Sequence, residues 1–458
     1  MGVNSEEKPK LFKSPEAVFE ASRCIECDSA PCVKACPVGV DIPRFIGRIK
    51  MGDFIGANKI IKEKCFFPGV CGYVCPVEKL CVQRCCITEP LGPVKINQLQ
   101  QFVAEYEIEH KDEVEKVIPE KINGKKIGIL GAGPAGLSAA FWLAEKGYKV
   151  TIYESKEFPG GMMTYGIPQY RLPRKILLTE INDRVKELGI EIKTNTVIGI
   201  NGLLQKAYDS ILISTGAWSQ VSLELPGIHL AGVFRGLDFL KLVNDISNKK
   251  RGANPIHKKK VAIIGGGDVA MDAAVSAVNL GAKRTFLIYR RSFEEMPAIP
   301  SEVKMAKEKG VMFWIKAMPK KILGDENKNV KAIECIETKL GEPDETGRKT
   351  PIPVTGTEFQ LDVDVVIEAI GQKVENEFIK NKDLKVNPNG TIKTNKNRET
   401  SIPGIFAAGD VISGGSTVIQ AIAEGVKAAI SIDKYLKTNI AKNLKSEIQG
   451  GRNDRFKY

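Results

Sequence analysis

Ten of the eleven cysteines in this 458-residue chain fall between Cys24 and Cys86, and the last, Cys335, stands alone. That crowding dictates what the N-terminal segment can become. Disulfide frameworks belong to short secreted chains. This chain is long, and its opening "MGVNSEEKPK" lacks the apolar stretch of an export signal. A cytoplasmic protein is the expectation, and clustered thiols in a reducing compartment point to metal. "CIECDSAPCVKACP" (24–37) reads C-x2-C-x4-C-x3-C-P, a bacterial ferredoxin run with one gap lengthened. Iron–sulfur therefore ranks ahead of zinc, and zinc ahead of disulfides. By spacing alone, Cys71, Cys75, Cys81 and Cys85 form a self-contained four-cysteine site.

Between the two cysteine groups, Ile42, Phe45, Ile46 and Ile49 recur at helical spacing, with Asp41 placed as N-cap and Pro43 in the first turn. Phe54, Ala57, Ile60 and Ile61 repeat the pattern, and "INQLQQFVAEYEIEH" reads as a further helix. The N-terminal domain is therefore expected to be helical and wrapped around cysteine loops, with residues 111–126 as a charged linker.

From Lys126 the pattern changes to alternating strands and helices. "KIGILGAGPAGLSAAFWLAEKGYKVTIYES" is strand, glycine turn, helix and strand, carrying Gly131-x-Gly133-x-x-Gly136. Such glycines allow a tight turn, close approach of a pyrophosphate and tight helix–strand packing. Glu154, eighteen residues past Gly136, stands where a carboxylate binds ribose hydroxyls. Residues 259–292 repeat the architecture with Gly265-x-Gly267-x-x-Ala270. Here the position for an acid holds Arg290, followed by Arg291, and guanidinium groups grip a 2′-phosphate where a carboxylate would repel it. That favours NADP(H) over NAD(H); the bland alternative is a solvated sheet edge. A late strand ending in Gly409-Asp410 resembles the second flavin-contact motif of two-dinucleotide flavoproteins, where the Asp meets the ribityl chain.

Several chemistries drop out. Only His110, His229 and His257 are present, none in a motif, so triad hydrolysis is disfavoured. A thiol–disulfide reductase needs a redox pair beside its flavin, and residues 87–458 contain only Cys335. The net charge of +12 is spread along the chain among 55 acids, which fits a solvated basic surface or docking of an acidic protein such as a ferredoxin rather than nucleic acid. No apolar run approaches the roughly 18 residues of a spanning helix, so no membrane is expected.

Five motifs in order, "EASRCIECDSAPCVKACP", "GVCGYVCPVEKLCVQRC", "GGMMTYGIPQYRLPR", "YRRSFEEMPA" and "GIFAAGDV", resemble one family over residues 14–436. It includes the N-terminal half of dihydropyrimidine dehydrogenase with the flavin subunit of the bacterial pyrimidine enzyme. The small subunit of NADPH-dependent glutamate synthase and the flavin–NADPH subunit of ferredoxin:NADP transhydrogenase are also similar. Together with the patterns above, the resemblance implies an α/β fold: a helical iron–sulfur domain (1–123) and an FAD domain (124–217 and 372–440) with an NADPH domain (218–371) inserted in it; the basic composition of residues 441–458 reads as a loosely ordered tail.

The resemblance also implies two [4Fe–4S] clusters. Cys24, Cys27, Cys32 and Cys85 would hold one, and Cys36, Cys75, Cys81 and Gln100 the other, leaving Cys65, Cys71 and Cys86 structural or spare. Gln100 is the first glutamine of an "LQQF" segment, which tilts the chain to the pyrimidine branch. Against that, Pro297 stands where the pyrimidine enzyme has a further arginine. The implied flavin residues are Gly131, Gly133, Pro134, Ala135, Gly136, Glu154, Gly161, Met162, Arg171, Val197, Gly409, Asp410 and Thr417. For NADPH they are Gly265, Gly266, Gly267, Asp268, Val269, Arg290, Arg291 and the Ala369–Ile370–Gly371 turn.

The expected function is electron input: hydride from NADPH to FAD without an acid–base residue of the protein, then single electrons through the clusters to a partner. That partner would be an FMN-containing or amidotransferase-type subunit in a hetero-oligomer, or ferredoxin. The rivals are a self-sufficient oxidoreductase and a non-enzymatic redox sensor.

Overall fold

The computed structural model describes residues 12–247, 254–344, 347–374 and 381–453, with side chains to residue 438. The chain divides into two compact units. One comprises residues 12–164, 174–218 and 373–453; the other holds 165–173 and 219–372.

The first unit begins with helices α1 (Ser14–Ser22) and α2 (Pro31–Ala35), between which lie the first cysteines. In α3 (Ile42–Lys50) Asp41 caps the Arg44 amide at 3.2 Å, and Ile42, Phe45, Ile46 and Ile49 form its buried stripe. Gly52 at φ 76 turns the chain into α4 (Phe54–Lys62), capped by Asp53 through the Gly56 amide at 2.8 Å. Then come α5 (Pro68–Val74) and α6 (Ile96–Glu109), which pack together closely enough that a Cβ on Gly72 would stand 2.8 Å from the Gln101 amide nitrogen. The segment read as a linker is tied down: the Glu120 amide donates to Glu145 O at 2.8 Å and the Asn123 amide to Gly147 O at 3.1 Å.

Strands β1 (Lys126–Leu130), β2 (Lys149–Tyr153), β3 (Glu191–Lys193) and β4 (Ser210–Ile213) alternate with α7 (Pro134–Glu145), α8 (Met162–Tyr165), α9 (Arg174–Glu187) and α10 (Ile200–Leu204). β1 is buried on both faces beyond Lys126, as its unbroken apolar run requires.

The second unit contains β5 (Ser219–Gln220), β6 (Val233–Arg235), α11 (Gly236–Ser247), β7 (Lys260–Ile264), α12 (Asp268–Asn279), β8 (Arg284–Tyr289), α13 (Pro300–Glu308) and β9 (Met312–Ile315). Next are β10 (Ala317–Gly324), β11 (Val330–Pro343), β12 (Lys349–Pro353), β13 (Phe359–Asp362) and β14 (Val365–Glu368), with β15 (Gln372–Lys373) at the boundary. Its parallel sheet has the order β6-β14-β7-β8-β9, and β10–β13 form a separate antiparallel layer.

The chain returns to the first unit through β16 (Ile405–Ala407), α14 (Asp410–Ser413) and α15 (Val418–Asn453), completing a parallel sheet of order β16-β4-β1-β2-β3. α15 lies against α7 so closely that a Cβ on Gly425 would stand 2.1 Å from Ala135 O. Helix continues to Asn453, past the point where the sequence suggested a loose tail. The stretch is polar but free of proline, and Lys437, Ala441, Lys442, Leu444, Lys445 and Glu447 are good helix formers. Among the described residues no helix is long and apolar enough to cross a membrane.

Candidate active site and metal centres

At the C-terminal end of the first unit's sheet lies a cavity of about 330 Å³, within the size range of ligand pockets. Its walls include Gly131, Gly133, Pro134, Ala135, Glu154, Gly161, Met162, Val197, Gly409 and Asp410. Gly131 sits at φ 96, and a Cβ there would stand 2.5 Å from Ser214 O. At Gly136 a Cβ would meet Gly131 O at 2.0 Å, so that glycine is spent on packing rather than on the wall. Gly133 is different: the nearest atom to its missing Cβ is Gly161 Cα at 4.0 Å, leaving a gap before the N-terminus of α7. A helix N-terminus with that clearance suits a pyrophosphate.

Glu154 is buried, and its Oε2 accepts from the Ala132 amide while Oε1 accepts from the Lys156 amide, both at 2.8 Å. Those bonds fix the carboxylate at the end of β2 with its side chain facing the cavity. Asp410 is held by Ser416 Oγ at 2.9 Å, and burial pushes its carboxyl up. The residues present fit a dinucleotide: an open glycine turn, a fixed acid and a second acid across the space. Lys156, Trp218 and Thr215 also line it and carry no sequence signature. Lys156 Nζ lies 4.9 Å from the Trp218 ring centroid, and Thr215 Oγ1 is buried without a hydrogen-bond partner.

Two residues expected at the flavin are not among these cavity walls. Thr417 is not among the cavity walls; its hydroxyl and amide engage Gln420 just before α15. Arg171 belongs to the second unit, where its buried guanidinium pairs with Asp272 at 2.8 Å and Glu302 at 3.2 Å. Conflicting buried charges there demand a cation, which the sequence motif alone did not reveal.

In the second unit Gly265, Gly266 and Gly267 join β7 to α12. A Cβ on Gly265 would stand 2.2 Å from Ala369 O, and one on Gly266 would enter the Tyr289 ring. Gly267 has nothing within 4 Å, so this turn too is open ahead of a helix N-terminus. Asp268 Oδ1 accepts from the Ile299 amide at 2.8 Å, anchoring the following loop, while Val269 is half-buried in the first turn of α12. Gly371, at φ 130, closes the Ala369–Ile370–Gly371 turn after β14. The arginine pair divides its labour. Arg290 is exposed at the end of β8, whereas Arg291 is buried, donating to Lys349 O at 2.7 Å and pairing with Asp344 at 2.6 Å. The alternation of a strand end turned adjacent residues to opposite sides.

The thiols separate into two groups. Cys24, Cys27, Cys32, Cys85 and Cys86 line one narrow apolar cavity. Glu26 (φ 52) and Ala30 (φ 35) hold left-handed turns that bend this loop, and Lys50 Nζ ties it down through Cys24 O at 2.8 Å. In the other group the Cys75 thiol feels Cys81, Cys36 and Cys65, and the Cys81 thiol feels Cys36 and also Cys32. Cys85 therefore does not stand with Cys75 and Cys81, as spacing alone allowed. Burial pushes Cys32 up to about 11 and Cys81 up to about 12. Thiols raised in this way are deprotonated when a cation binds them directly, which fits clustered iron. Among the described residues no three His, Cys, Asp or Glu side chains converge as ligands of a single metal ion. Gln100 lies on α6 with Nε2 donating to Pro68 O at 2.8 Å.

Residues 125–425 match the pyridine nucleotide-disulphide oxidoreductase family. The chain belongs to that family. Residues 2–112 match the domain described as dihydropyrimidine dehydrogenase domain II, 4Fe-4S cluster. As a member of the oxidoreductase family with this N-terminal domain, the chain is 40% identical over 438 residues to the NADP(+)-dependent formate dehydrogenase subunit beta of Moorella thermoacetica, covering 89% of this chain and 60% of that protein. It is 35% identical to the NADPH-Fe(3+) oxidoreductase subunit beta of Geobacter sulfurreducens, covering 93% of this chain and 66% of that protein. The chain thus spans less than two thirds of the length of these two relatives. It is 32% identical to the glutamate synthase [NADPH] small chain of Escherichia coli, covering 93% of each. Among solved structures, FprA from Mycobacterium tuberculosis superposes with a TM-score of 0.61 at 17% identity, over 70% of this chain and 86% of that one. Thioredoxin reductase from T. acidophilum gives 0.52 at 21% identity, over 69% and 99%. These two likenesses concern the fold.

Proposed function

We propose that the chain is an electron-input subunit, with FAD on the first nucleotide fold, NADP(H) on the second and two [4Fe–4S] clusters on the N-terminal cysteines. When bound, the flavin would take hydride from NADPH and yield the electrons singly to the clusters. The chain's own residues orient these groups. The α7 N-terminus and Gly133 receive the flavin pyrophosphate, Glu154 the ribose hydroxyls and Asp410 the ribityl chain. Arg290 receives the 2′-phosphate of NADPH. No side chain need act as acid or base.

One observation carries this reading: the cysteine helices and the first nucleotide fold form a single packed body. Phe66 and Phe67, just before α5, rest on Phe141 of α7 with ring centroids 5.8 and 5.6 Å apart. α5 then runs directly into Cys75. A cluster held there stands against the flavin fold, with an apolar wall excluding water.

The named relatives support electron delivery to a separate catalytic subunit, since two are beta subunits and one a small chain. The 40% identity to the formate dehydrogenase subunit favours a partner of that type over the pyrimidine partner suggested by "LQQF". Anaerobic stopped-flow mixing with NADPH tests the input step. Rapid bleaching of the flavin followed by reduced-cluster EPR signals is expected; a flavin left oxidised by NADPH would refute it. Mass spectrometry of proteins co-purifying with the chain then identifies the partner.

A further inference from the structure

Lys156, Thr215 and Trp218 line the cavity of the first nucleotide fold without belonging to any sequence motif. The backbone beside Glu154 fixes where they stand. Glu154 Oε1 accepts the Lys156 amide at 2.8 Å, Glu154 O accepts the Thr196 amide at 2.9 Å, and Lys156 O accepts the Asn195 amide at 3.0 Å. These bonds tie residues 154–156 and 195–196 side by side, with Val197 and Ile198 adding apolar wall. Trp218 follows β4. Gly216, at φ 77, turns the chain there, and a Cβ on it would stand 3.6 Å from the indole Nε1. The Lys156 ammonium lies over the indole, 4.9 Å from its centroid, within the reach of a cation–π attraction. The preceding Thr215 keeps its hydroxyl buried without a hydrogen-bond partner. Such a group is costly to leave unsatisfied, and a polar atom of a ligand would satisfy it.

The order of the cavity wall says which part of a dinucleotide this end receives. With a pyrophosphate at Gly133 and ribose hydroxyls on Glu154, the base on that ribose extends past the carboxylate. Lys156 and, against it, Trp218 are the side chains next to Glu154 there. Building on the FAD reading above, we propose that Trp218, braced by Lys156, is the adenine-stacking wall of this cavity. The ammonium covers one face of the indole, so the base stacks on the other. Both residues are positioning residues: they hold the adenosine half of the flavin and touch no reacting atom.

The test is equilibrium binding of FAD, ADP and FMN to the flavin-free full chain, with excess NADP+ present to occupy the second nucleotide fold. ADP should quench tryptophan fluorescence of the wild type. Trp218→Leu, which keeps apolar bulk but removes the aromatic face, should weaken FAD and ADP by about tenfold or more. Any affinity for FMN, which has no adenine, should be unchanged. Lys156→Ala should weaken ADP in the same direction by a smaller factor. Trp218→Phe should keep most of the ADP affinity yet lose the quench, since Trp142 and Trp314 remain. Unchanged ADP affinity in Trp218→Leu overturns the proposal, as does equal weakening of FAD and FMN; unchanged ADP affinity in Lys156→Ala overturns the brace. Should Trp218→Leu not fold, the quench decides: its persistence in Trp218→Phe refutes the stacking. Wild-type chain that binds neither FAD nor ADP refutes the FAD reading itself, and the adenine wall with it.

Discussion

Glu180 of α9 accepts the Gly69 amide at 2.6 Å, joining the first nucleotide fold to the opening turn of the helix that leads into Cys75. Its other oxygen takes the Val70 amide at 3.1 Å. A Cβ on Gly69 would stand 2.6 Å from Ile176 Cγ2, so only glycine lets the cysteine helix approach α9 this closely. The carboxylate is thus a latch within the first unit, at the point where electrons would pass.

Burial pushes Glu180 up to about 7, outweighing the two amides and Lys62, which favour the ionised form; Glu107 works with burial. The folded protein therefore holds this proton more tightly than the unfolded chain, whose glutamate ionises near 4.5. The resulting stability is present below that value and is lost as pH rises through about 7, by as much as about 3 kcal/mol. The flavin-release temperature should fall across this window. Glu180→Gln should flatten the slope, while lowering the value at acid pH because its amide group faces a backbone N–H. An equally steep slope in the variant would remove Glu180 as its source.

The glycines of the first turn make separable predictions. Gly133→Ala meets no neighbour but projects into the gap before α7. It should leave thermal stability of the flavin-free protein unchanged and weaken flavin binding by at least about tenfold, or 1.4 kcal/mol. Gly136→Ala forces a methyl to within 2.0 Å of Gly131 O and should cost about 3 kcal/mol or more of stability. Flavin content by absorbance and melting by circular dichroism distinguish the two.

The sequence was most legible where backbone geometry leaves one solution. Glycine turns after buried strands, a carboxylate at the end of the second strand and Asp41 at a helix start are local signals, and each has a local reason. Side chains whose role depends on distant neighbours were not legible. Arg171 lies in the stretch "GGMMTYGIPQYRLPR", yet its partners Asp272 and Glu302 are about a hundred residues away or more in sequence. The same holds for the thiols: spacing joined Cys85 to Cys81, while the fold carries it to Cys24. Nothing local to Arg291 announces that Asp344 will pair with its guanidinium.

Arg171 offers a test of position against role. Removing a buried cation strands two carboxylates, at about 3–5 kcal/mol. Arg171→Met should therefore lower the melting temperature sharply while leaving the flavin absorption spectrum of folded protein unaltered. A normal melting temperature with a shifted flavin spectrum would return Arg171 to the flavin.

The arginine pair separates coenzyme recognition from folding. Arg290 is exposed beyond β8 and its neighbour Arg291 is paired and buried, so only the first is placed to meet a 2′-phosphate. Arg290→Ala removes a charge-assisted contact of about 1.5–3 kcal/mol. The KM for NADPH should rise about 10- to 100-fold, with little change for NADH, which lacks that phosphate. Arg291→Ala should act on stability instead, because it empties a buried site and leaves Lys349 O and Asp344 without its guanidinium. Steady-state kinetics with both coenzymes and thermal melts of both variants check the pair. If Arg291→Ala proves stable and selectively impaired with NADPH, the 2′-phosphate is bound on the opposite side of the strand end from the one inferred here.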